Sequence, residues 1–72
     1  MRETLLQYGW TFQRSCNCGG THQEFWRKAG HDIEVHIYTK MRKFYIKSLS
    51  SGRNIGQQSH DYQLAAKLDE LN

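Results

Sequence analysis

The run from Asp32 to Thr39 constrains the fold most, because Ile33, Val35 and Ile37 alternate with Asp32, Glu34, His36 and Tyr38. A period of two gives a strand one apolar and one polar face, as a half-buried antiparallel sheet requires. Its neighbours extend the pattern. Trp10, Phe12 and Arg14 alternate with Thr11, Gln13 and Ser15, and the stretch from Thr21 to Lys28 sets Phe25 on one face against His22, Glu24 and Trp26 on the other. Ala29-Gly30 supplies the turn that pairs this second strand with the third. Beyond Thr39 to Met41 the alternation resumes, with Phe44 and Ile46 opposed to Lys43, Tyr45 and Lys47. No glycine marks that turn, so a bent continuous strand also satisfies the pattern.

Residues Glu3 to Tyr8 read as a short helix stopped by Gly9, in the left-handed position that commonly ends helices. Ser15 to Gly20 and Leu49 to Ser59 read as loops by composition. Ser59 can then cap a closing helix whose positive end favours Asp61, with Leu64, Leu68 and Leu71 at helical spacing. The expectation is one α+β domain over 1–72: a short N-terminal helix, a three- to four-stranded antiparallel sheet and a C-terminal helix, both helices on one sheet face. With 72 residues, 38% of them hydrophobic, the core must be thin, since a chain of this size hides only about 60% of its unfolded surface.

If both helices cover the Ile33, Val35 and Ile37 side, the other face stays open. It would carry His22, Glu24, Trp26, Glu34, His36, Tyr38, Lys43, Tyr45 and Lys47, a mixture of aromatic platforms and cations suited to RNA. The same composition also stabilises a bare antiparallel sheet through cross-strand pairs. The net charge of +3 is uneven: Val35 to His60 holds Lys40, Arg42, Lys43, Lys47 and Arg53 and no acid, while Met1 to Glu34 is balanced. Such a block favours an anionic partner, or protects a strand edge from aggregation. Trp26, Arg27, Lys28, Tyr38, Lys40, Arg42, Lys43, Tyr45, Lys47 and Arg53 are the candidate nucleic-acid-binding residues.

Cys16 and Cys18, one residue apart, make a poor disulfide pair by bridge geometry and are expected as reduced thiols. With His22 and one of His31, His36 or His60 they could in principle ligate zinc, but the spacing is not that of a Cys-x-x-Cys knuckle, and the expectation is no metal and no cofactor. No apolar run approaches the ~20 residues that span a bilayer, and no leader is visible at the amino terminus. A cytoplasmic chain with no membrane partner is expected.

Gly9-Trp10 after a short helix, Gly20-Thr21-His22, Phe25 followed by Arg27-Lys28, Gly30-His31 and the strand through Ile33, Val35 and Ile37 together resemble the HicA-type mRNA interferases, toxins of bacterial toxin–antitoxin pairs. The resemblance covers about half of the chain. It implies a fold like that of double-stranded-RNA-binding domains, RNA and an antitoxin protein as partners, and a catalytic histidine at His22. The chain departs from that pattern in Cys16-Asn17-Cys18 ahead of the glycines and in the added strand from Arg42 to Ser48. Histidine titrates nearest neutrality, so it can exchange a proton with an RNA 2′-hydroxyl or leaving oxygen. Glu24 could orient the imidazole, and Arg27, Lys28 and Lys43 could stabilise the phosphate charge. Three functions compete: an RNA-cleaving enzyme, a non-catalytic nucleic-acid-binding module of a phage or mobile element, and a small protein-interaction domain. The reading adopted is a small basic RNA-binding domain of interferase-like type, with catalysis and self-association left open.

Overall fold

A short helix, α1 (Arg2–Gln7), is followed by β1 (Thr11–Cys18), β2 (Thr21–Arg27), β3 (Ile33–Tyr38), β4 (Lys43–Ser48) and β5 (Asn54–His60), then a single 3-10 turn (Asp61–Gln63) and α2 (Leu64–Leu71). This computed structural model describes residues 1–71, the side chains at positions 18, 56 and 57 excepted. The strands form one antiparallel meander in the order β1-β2-β3-β4-β5. The α+β class and the two flanking helices are as expected, but the sheet has five strands where three or four were anticipated.

The extra strand is β5. Its sequence is dominated by amides and has Ile55 as its one strongly strand-forming residue, and pairing against β4 supplies what local preference does not. Ser59 accordingly lies within β5, opposite Phe44, and does not cap the helix. His60 occupies the capping position, its backbone N–H donating to Gln63 Oε1 at 3.0 Å. The stretch expected as a loop after Arg14 is likewise strand as far as Cys18, closed by Gly19 and Gly20 at φ +63° and +79°. Two consecutive positive φ values define the tight hairpin turn whose twist matches its strands. The turn between β3 and β4 is also real, with Arg42 in the left-handed position at φ +55° where a glycine would ordinarily sit.

Leu5 of α1, Leu64 and Leu68 of α2, and Trp10, Trp26, Val35, Ile37, Phe44 and Ile46 form one buried cluster. Both helices therefore cover the same sheet face. Register corrects which β2 residues share it: Trp26 pairs with Val35 and Glu24 with Ile37, whereas Phe25 pairs with His36 and Arg27 with Glu34. Trp26 is 2% exposed, in the core, and cannot be the open-face aromatic platform that the sequence suggested. Phe25 takes the uncovered side.

Cys16 is disulfide-bonded, which corrects its reading as a reduced thiol. β1 runs through positions 16–18, and extended backbone brings residues two apart to one face of the sheet. A disulfide sulfur is not the thiolate zinc requires, and the thiol argument for a cytoplasmic chain no longer applies. The Cys18 side chain lies outside the described residues. Among the described residues no helix is long and apolar enough to cross a membrane.

Candidate nucleic-acid interface

The sheet face that no helix covers is built in cross-strand rows. Arg14, Phe25, His36 and Tyr45 succeed one another from β1 to β4, flanked on one side by Gln23, Tyr38, Lys43 and His60 and on the other by Arg27, Glu34, Lys47 and Asn54. An aromatic row thus runs between two rows that carry cations. Arg14 joins it because β1 is irregular between Phe12 and Arg14, a bulge that moves Arg14 off the face of Trp10 and Phe12. Its guanidinium lies 4.3 Å from the centre of the Phe25 ring. Phe25 meets His36 edge-on at 4.5 Å, His36 lies 4.7 Å from Tyr45, and Tyr45 lies 5.6 Å from Tyr38.

Beneath this surface sits a buried polar pair. Glu34 and His36, 3% and 4% exposed, are joined by a 2.7 Å hydrogen bond from His36 Nε2 to Glu34 Oε1. Arg27 Nε donates to Glu34 Oε2 at 2.7 Å, and Arg14 stands 4.0 Å from the same oxygen. Burial disfavours ionisation of Glu34, but the hydrogen bonds from Arg27 and His36 outweigh it and hold the carboxyl below its usual range. Burial dominates at His36 and holds the imidazole below its usual value, against the pull of Glu34. The ring is therefore neutral near pH 7, donating through Nε2, with Nδ1 buried and without a hydrogen-bond partner. Burial and the neighbouring Tyr38 push the Tyr45 phenol up to about 12, so it remains a neutral hydroxyl. Within the strands, among the described residues, Glu34 is the one acid on this face, against Arg14, Arg27, Lys43 and Lys47.

Of the residues expected to bind nucleic acid, Arg27, Tyr38, Lys43, Tyr45 and Lys47 are brought together here. Lys40 and Arg42 occupy the β3–β4 turn at one end of the sheet, where Arg42 Nε approaches Asp61 at 3.9 Å, and Arg53 occupies the β4–β5 turn at the other. Lys28 turns away from the face, its Nζ donating to the Tyr8 carbonyl at 2.8 Å. Arg14 and Phe25 were missed by sequence reasoning. The bulge that delivers Arg14 leaves no mark in a single sequence, and the polar character of Arg14 at an apparently inward position was its only signal.

His22, the second residue of β2, is on the helix-covered side, in phase with Glu24 and Trp26. Glu24 does not orient it. That carboxylate is occupied by Arg2, whose Nε donates at 2.9 Å, and by the Trp26 indole N–H at 3.2 Å; these hold it below the usual range against the opposing effect of burial. His22 Nδ1 lies instead 2.8 Å from Thr39 Oγ1, whose hydroxyl donates to the His22 carbonyl at 3.3 Å. With the hydroxyl proton so engaged, Nδ1–H is the donor, and in the neutral ring Nε2 is the acceptor. Arg27 and Lys28 are no closer than the far end of β2, about 16 Å along the strand from His22 at ~3.3 Å per residue. A cavity of about 180 Å³ beside Thr39 is lined by Arg2, Glu24, Ile37, Arg42 and Asp61. No protein family, curated protein or solved structure matches the chain.

Proposed function

We propose that the protein is a small RNA-binding domain whose uncovered sheet face receives the RNA. The observation that supports this best is the pair of partly exposed rings, Tyr38 and Tyr45, 5.6 Å apart beside Lys43 and Lys47, over buried Phe25 and His36 and with Glu34 buried and paired. Cations of that kind attract the phosphates, and aromatic rings accept splayed bases by stacking. Lys43→Glu with Lys47→Glu tests the reading. Both side chains are only partly buried, and affinity for RNA should fall; because Lys47 lies opposite Glu34, circular dichroism establishes that the variant is folded, and Lys47→Gln with Lys43→Glu serves where it is not. The slope of log affinity against log salt should become shallower by about 0.7 for each lysine that contacts a phosphate of a single strand. An unchanged slope in the folded variant would leave the lysines as cross-strand partners of Tyr38 and Glu34 within the sheet, with no phosphate contact.

A second reading, an endoribonuclease of the interferase type, is favoured by one observation: the hydrogen bonds of Thr39 leave His22 Nε2 as an acceptor, the form a general base needs. Its predicted cations Arg27 and Lys28 lie elsewhere, so binding is the primary proposal. His22→Ala separates the two. Loss of RNA cleavage and of growth inhibition with affinity retained supports the enzyme; a wild-type protein that leaves RNA intact and cells unharmed leaves a binding module.

A further inference from the structure

His60 and Tyr62 stack at the corner where β5 enters the 3-10 turn, their rings nearly parallel at 8° with centres 5.3 Å apart. His60 pairs with Lys43 across β4 and β5, so this stack continues the row that begins with Tyr38. Tyr62 is nonetheless 77% exposed, the most exposed large hydrophobic side chain among the described residues. Packing does not account for a large ring there, held flat by a histidine at the edge of a cationic face. Beside it a shallow depression is lined by Phe44, Ser59, Gln63, Ala66, Lys67 and Glu70, with Lys67 paired to Glu70.

We infer that the His60–Tyr62 stack is a base-stacking platform for a terminal or flanking nucleotide, and that the RNA taken by this protein is single-stranded. This rests on the RNA-binding reading above. A base can reach the outer face of Tyr62 only when it is unstacked from its neighbours, whereas in an A-form duplex the bases remain stacked and paired. Lys43, adjacent to His60 in the register, neutralises the phosphate that leads into the platform. His60 holds the tyrosine ring from behind, and the entry of His60 into the turn is fixed by its hydrogen bond to Gln63.

The experiment compares binding of a fluorescent oligouridylate, and of its duplex with oligoadenylate, by the wild type and by Tyr62→Ala, Tyr62→Phe and His60→Ala, with circular dichroism on each. Stacking on one aromatic side chain corresponds to about 5- to 150-fold in affinity. Tyr62→Ala should therefore weaken oligouridylate binding by that factor with the salt slope unchanged, His60→Ala should weaken it in the same direction, and Tyr62→Phe should stay near wild type. Duplex binding should be weaker throughout and insensitive to all three. Wild-type affinity in Tyr62→Ala, while the Lys43 and Lys47 variant is still impaired, would overturn the platform and leave the RNA-binding reading standing. Should Tyr62→Ala fail to fold, undiminished affinity in folded His60→Ala would overturn it equally. A loss shared by the duplex, or a changed salt slope, would identify a backbone contact and refute the single-strand assignment. Absence of RNA binding by the wild type removes both proposals.

Discussion

Trp26 lies on β2 between the sheet and the helices, edge-on to Phe12 with ring centres 5.6 Å apart and its indole N–H donating to buried Glu24. Truncation at such a site removes a large apolar area and leaves a cavity, and here it also deprives the Glu24 carboxylate of a donor. Trp26→Ala should cost about 3–5 kcal/mol in urea unfolding; a loss below about 1 kcal/mol would return the ring to the surface. Alternation shows that Trp26 and Phe25 face opposite ways, but it does not show which of them meets Val35. That is a matter of register, set by where the two chain segments align, and the charged Glu24 beside Trp26 made the wrong alignment look natural. Arg2 supplies the charge that lets Glu24 stay ionised there, from a helix too distant in sequence for the pairing to be foreseen. His22 was legible as a candidate, whereas its partner Thr39 required the β2–β3 pairing.

At the level of elements, strongly periodic segments were readable and weakly periodic ones were not. β3 follows from Ile33, Val35 and Ile37 alone, and α2 from its leucines, because burial of one face dictates those patterns. β5 has no such stripe and exists through its ladder with β4. The Gly19-Gly20 turn was taken as part of a loop, and one of its glycines as part of a motif. Its geometry gives the glycines a conformational reason, since both residues sit at positive φ. Gly20→Ala should therefore destabilise the domain by about 1–2 kcal/mol through backbone strain alone, because a Cβ there would meet nothing within 4 Å. Gly20→Asn should recover part of this, since asparagine tolerates the left-handed region. Equal melting temperatures for wild type and Gly20→Ala would show that the hairpin turn is not held as described.

For the molecule as a whole, the buried titratable groups make stability pH-dependent. Burial holds His36 below its ordinary value of 6.5, so the unfolded chain takes up the proton first as the pH falls, and the folded state loses stability from about that point downward. Glu24 and Glu34 are held below 4.5 by their hydrogen-bonding partners, so the stability they contribute is present above that value and is lost as the pH falls through their lowered folded values. Thermal melting should show a first decline below about pH 6.5 and a steeper one below about 4.5. His36→Gln should flatten the first decline and spare the second; an unchanged first decline would assign it to other groups. The same buried pair is part of the uncovered face, where the neutral imidazole of His36 packs between Phe25 and Tyr45 and Tyr45 lies beside Tyr38. The central claim, that this face binds RNA, is tested most directly by NMR chemical-shift mapping with a single-stranded oligoribonucleotide. Perturbations are expected at Arg14, Phe25, Tyr38, Lys43, Tyr45 and Lys47, and at His60 and Tyr62 where the platform lies, with α1 silent. Shifts confined to the helices, or to His22, Thr39 and Arg42, would contradict it.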